Sequence, residues 1–142
     1  MRASEVRAMT RIRSACLLLL AVFAATVSAA DVSGNWKMSF KADWTTIPDL
    51  ACTLSQKDQQ LEGTCRDATG RSEDAVALTD GRINVDQVSW SWKILVAPTG
   101  VTWTWVFTGK LDAEGRAMNG VAMLSAGPGS KQNEVSFTAT KQ

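Results

Sequence analysis

Apolar and polar residues alternate one for one through most of the chain from Gly34 onward. The longest such stretch is Val88 to Gly109. There Val88, Trp90, Trp92, Ile94 and Val96, then Val101, Trp103, Trp105 and Phe107, are separated mainly by Ser, Thr and Lys. Period-two alternation broken once by a turn signal, here Pro98-Thr99-Gly100, predicts a half-buried β-hairpin. With the turn at that point, Ile94 faces Trp103, Trp92 faces Trp105 and Trp90 faces Phe107. Cross-strand aromatic pairs of this kind add roughly 0.2–1 kcal/mol each.

The same period predicts the remaining strands. A first strand over Asn35–Lys41 puts Trp36, Met38 and Phe40 on one side, and a loop from Ala42 to Asp49 carries Trp44 and Pro48. A hairpin follows over residues 50–66, then a turn at Asp67-Ala68-Thr69-Gly70. In the strand expected over Glu73–Val85 the apolar phase flips between Val76/Leu78 and Ile83/Val85. Gly81 lies at the flip, which predicts a bulge. After a turn over Leu111–Gly115, a strand over Arg116–Ser125 with Leu111 paired to Arg116 sets Met118, Gly120, Ala122 and Leu124 opposite Gly109, Phe107, Trp105 and Trp103. Small residues then meet large ones. A Gly127-Pro128-Gly129 loop leads to a last strand over Asn133–Lys141, with Val135, Phe137 and Ala139 to one side. About eight short strands with hairpin-length connections predict an all-β, antiparallel up-and-down barrel, with a β-sandwich as the structural alternative. A barrel of that strand number is filled by side chains or holds one small ligand.

The first thirty residues read differently. Arg2, Arg7, Arg11 and Arg13 precede an apolar run from Cys16 to Ala25, and small residues follow up to Ala30. That order is the pattern of a cleaved secretory signal peptide over residues 1–30, and the apolar run falls short of the ~20 residues a bilayer span needs. Residues 31–142 then form one domain, about 110 residues long and with a net charge of about −2. It carries no basic face for nucleic acid and no second apolar span for membrane insertion after leader removal. A periplasmic or secreted product is expected. Cys52 and Cys65 fit that compartment. A two-residue turn at Asp58-Gln59 opposes them directly, within the reach of a disulfide. Closing a loop of this length contributes about 3 kcal/mol.

Gly34-Asn35-Trp36 at the head of the first strand resembles the G-x-W opening of lipocalin-like (calycin) barrels. Val88-Ser89-Trp90, the run from Phe107 to Asp112, and the closing Phe137-Thr138-Ala139-Thr140-Lys141 resemble segments of small exported bacterial proteins of that shape. The resemblance implies a structural role for Gly34 and Trp36, with the Trp36 ring packed across the closed end of the barrel. Two kinds of relative suggest functions. Avidin-like barrels hold a small ligand among tryptophans, with a tyrosine in the hydrogen-bonding set that this chain lacks. Lipocalin-like protease inhibitors with one disulfide use an N-terminal arm, for which this chain offers Asp31-Val32-Ser33.

The chemistry available is sparse. With no histidine, no tyrosine and no cysteine outside the pair after the leader, nucleophilic catalysis and metal ligation lack their usual groups. Asp43, Asp49, Glu73 and Asp74 belong to no motif and read as solvated charges. No enzyme, cofactor or metal site is expected. Six tryptophans are many for a domain of this size. They read either as a filled core or as an aromatic pocket for a small apolar or sugar-like ligand. Trp44, Trp90, Trp92, Trp103 and Trp105 are the candidate contacts. The competing expectation is a protein partner, as for a periplasmic interaction module such as a protease inhibitor.

Overall fold

The computed structural model describes residues 30–70, 74–96 and 98–142, the side chain of residue 96 excepted. The predicted leader lies outside the described residues apart from Ala30, which is half-buried against the core. Nine strands run in order: β1 (Gly34–Lys41), β2 (Leu50–Lys57), β3 (Gln60–Asp67), β4 (Val76–Ala77), β5 (Thr79–Asn84), β6 (Gln87–Val96), β7 (Val101–Leu111), β8 (Ala117–Ala126) and β9 (Asn133–Lys141). Each pairs antiparallel with its neighbours. β1 joins both β2 and β9, and β2 joins β3, so the sheet closes on itself. β4 and β5 both pair with β3 and act as one bent stave, giving a closed barrel of eight staves. Closure decides for the barrel over the sandwich.

Two hairpins have the expected registers. Lys57 pairs with Gln60 around the Asp58-Gln59 turn, which sets Cys52 opposite Cys65. The two are disulfide-bonded with Cα atoms 4.0 Å apart, and both are buried on the inner face. In the tryptophan hairpin Trp90 opposes Phe107, Trp92 opposes Trp105 and Ile94 opposes Trp103.

The predicted bulge is present. Pairing of β5 with β6 shifts register between Thr79 and Arg82. Asp80 has φ 54°, and a Cβ on Gly81 would overlap the Leu61 carbonyl oxygen, so only glycine fits the crossing. The stave is less continuous than its sequence suggests: it breaks at Leu78, and Val85 lies in the turn before β6, not on the strand.

The β7–β8 register departs from expectation by two residues. Leu111 pairs with Met118, Phe107 with Ala122, Trp105 with Leu124 and Trp103 with Ala126. The cause is the Asp112 carboxylate, whose Oδ1 accepts the backbone N–H groups of Arg116 (2.7 Å) and Ala117 (3.1 Å). Those bonds hold Arg116 in a longer turn, closed by Asp112 N donating to Ala117 O at 2.9 Å. A shift of two keeps every side chain on its face.

The barrel is plugged at one end. Val32 is fully buried, its N–H donates to Gln56 Oε1 at 3.0 Å, and its carbonyl accepts the Trp36 indole N–H at 2.8 Å. Trp36 thus occupies the closed end. Gly34 makes the bend from plug to strand at φ 133°, where a Cβ would stand 2.9 Å from Lys141 Cε. The β2–β3, β5–β6 and β7–β8 turns share this end. The other four connections, including the one that carries Trp44, share the opposite end, the mouth.

Candidate functional site

β6 and β7 carry the candidate tryptophans because alternation along them turns residues 90, 92, 103 and 105 to the same inner face. Depth along the barrel axis then separates them. Trp90 and Trp92 are buried in the core, Trp105, opposite Trp92, is half-buried, and Trp103 is 39% exposed at the rim, opposite Ile94 at 37%. Trp44, in the β1–β2 connection at the same end, is 53% exposed. Among the described residues it makes no ring contact. The structure therefore brings Trp90, Trp92, Trp103 and Trp105 into one graded wall and leaves Trp44 outside it.

Phe107 organises that wall. It is fully buried, and its ring lies within 6.4 Å of five others. Trp90 stacks on it at 4.9 Å and 6°, Trp92 meets it at 4.4 Å and 59°, and Trp105 lies at 6.1 Å and 18°. Phe137 and Phe40 approach edge-on at 5.7 and 6.4 Å. Offset-stacked and edge-to-face contacts at these distances are the favourable aromatic geometries. The middle of the barrel is thus filled by side chains. In the sequence Phe107 is one alternating apolar position among many; its place opposite Trp90 and next but one to Trp105 is the signal that marks it as the centre of the wall.

The wall holds two polar atoms without partners. Trp90 Nε1 and Trp92 Nε1 are both buried and donate to no acceptor among the described residues. A buried donor left unpaired costs about 1–3 kcal/mol. The indole of Trp36 shows the alternative, since it is equally buried and satisfied by Val32 O. Among the described residues Ser91 alone is both polar and buried, and its hydroxyl is engaged with Thr79. The fully buried part of the inner face consequently presents indole donors, hydrocarbon and sulfur. Met38 Sδ lies 3.5 Å from the disulfide at Cys52 Sγ.

Charged groups stand apart from this wall. Asp49 pairs with Lys37 at 3.3 Å on the outer surface, Asp43 and Asp74 are exposed, and Glu73 lies outside the described residues. Two carboxyls are held below the ordinary carboxylate value, both at the plugged end. Asp112 is lowered by the Ala117 and Arg116 amides, and Asp31 by the backbone and hydroxyl of Ser33. No three His, Cys, Asp or Glu side chains gather as a metal site among the described residues, and no helix there is long and apolar enough to cross a membrane. A groove of about 620 Å³ lies on the outer wall, lined in part by Asn35, Lys37, Thr53, Thr64 and Arg66. It is separate from the tryptophan wall. No protein-family model, curated protein or solved structure matches the chain.

Proposed function

We propose that the protein is an exported, non-catalytic barrel of the lipocalin-like kind that takes a small, mainly apolar ligand at its mouth. The observation that carries this reading is the unpartnered indole N–H of Trp92, buried one residue pair beneath the exposed Ile94–Trp103 rim. Apolar walls with a few convergent polar groups are the usual make-up of small-ligand sites. Export rests on the leader pattern of residues 1–30 and agrees with a paired Cys52–Cys65, a bond that persists in oxidising compartments. The likeness to lipocalin-like barrels rests on Gly34-Asn35-Trp36 and on Trp36 at the closed end.

Native mass spectrometry of the protein from an exporting host, without denaturation, tests the reading. The expected spectrum shows a chain that begins near Asp31, is oxidised at the cysteine pair, and carries a small-molecule adduct. Trp103→Ala should release the adduct while the circular dichroism spectrum stays that of the wild type. An oxidised chain with no adduct, and no uptake of any apolar probe, would count against a carrier.

Against a protease-inhibitor reading, residues 31–33 are engaged rather than free. Val32 is fully buried and Ser33 Oγ accepts the Gln56 N–H at 3.0 Å. An arm held this way would have to leave the plug before entering a protease.

A further inference from the structure

Resting on that reading, we propose that the tryptophan wall selects an uncharged ligand presenting a bare lone-pair acceptor, such as a ketone, ester, lactone or ether oxygen, in preference to a sugar or an ion. The two unsatisfied polar atoms of the wall, Trp90 Nε1 and Trp92 Nε1, are of one kind. Indole N–H is a donor and never an acceptor. Around them stand Trp105, Phe107, Phe137 and Phe40, which offer no side-chain acceptor and no charge. The β7 backbone adds little, because it is paired on both sides, with β6 from Val101 to Lys110 and with β8 from Trp103 to Leu111. Its carbonyls are thus engaged in the ladders.

Each ligand class then meets a different balance. An acceptor oxygen satisfies a donor that is otherwise desolvated and unpaired, so its own loss of water is returned. A sugar hydroxyl brings a donor as well as an acceptor, and that donor finds no acceptor among the side chains of this wall. An ion loses its hydration with no opposite charge near. Trp36 is the internal comparison: where this chain uses a buried indole for structure alone, it supplies a carbonyl, Val32 O, at 2.8 Å. For Trp92, the donor nearer the mouth, it supplies none among the described residues.

A matched pair of probes tests this. Acetophenone and ethylbenzene share size and ring and differ by a carbonyl in place of a methylene. Both are titrated into the folded, oxidised protein, followed by tryptophan fluorescence and by the indole N–H resonances in a ¹⁵N-labelled sample. Acetophenone should move the Trp92 indole proton downfield, and ethylbenzene should not. Trp92→Phe should weaken acetophenone about tenfold more than it weakens ethylbenzene, that extra factor being the worth of one hydrogen bond. If the two probes bind and respond alike, the acceptor preference is wrong while a mouth site remains. If neither binds, the site itself is wrong and both readings fall. Should Trp92→Phe fail to fold, the resonance shift in the wild type decides alone.

Discussion

Val85 occupies the first position of the two-residue turn between β5 and β6 with φ 59°, and its side chain is exposed. A β-branched residue in the left-handed region costs about 1–2 kcal/mol, and no buried contact offsets it here. Val85→Gly and Val85→Asn should each raise the urea midpoint by about 1 kcal/mol of stability. An unchanged midpoint would mean that the turn relaxes to another shape. Asp112 gives a second prediction at this scale. Its folded pKa lies below the ordinary carboxylate value because backbone amides donate to it. A group depressed in this way stabilises the fold above its unfolded pKa, and the contribution is lost as pH falls through the folded value. Wild type and Asp112→Asn should therefore differ in urea midpoint at neutral pH and converge in strong acid. A gap that persists there would show that the carboxylate charge is irrelevant to the turn. Neither residue was legible as special: Val85 reads as one more alternating apolar position, and nothing in the sequence says that the Asp112 side chain will bond to amides four and five residues on.

Among the elements, the two hairpins were readable because alternation and a turn signal both constrain them. Cys52 and Cys65 add a third constraint at the first, and both registers hold. Where a side chain sets the turn length, as at Asp112, pattern alone fixes the face and leaves the register open by two. The β4–β5 stave was readable as bent because Gly81 marks the phase flip. Its break at Leu78 was not, since it depends on how β3 pairs with the two halves beside it, with the Leu78 N–H donating to Gly63 O at 2.9 Å. The disulfide spans thirteen positions of sequence within one hairpin. Replacing both cysteines with alanine should cost about 3 kcal/mol in chemical denaturation while the near-ultraviolet tryptophan spectrum is retained. A loss of well under 1 kcal/mol would place the disulfide's role outside stability.

For the whole molecule, burial converges on Phe107, where five rings meet. Phe107→Ala should cost about 3–5 kcal/mol, read from the thermal or urea transition. A cost near 1 kcal/mol would mean that the neighbouring rings collapse into the space. The barrel class followed from strand count and short connections. The candidate site followed only in part, because period two tells which face a tryptophan occupies and not how deep it lies. Trp90 and Trp103 have the same signature in sequence, yet one is core and the other rim.

Both ends of the described chain lie at the plugged end. Gln142 N donates to Asn35 O at 2.9 Å, and Lys141 Nζ donates to Asp31 O at 3.1 Å. A tag, bead or fused domain attached at Gln142 therefore hangs from the base. Immobilised by that tether, the molecule stands like a cup on its stem, its rim of Ile94 and Trp103 turned to the solution.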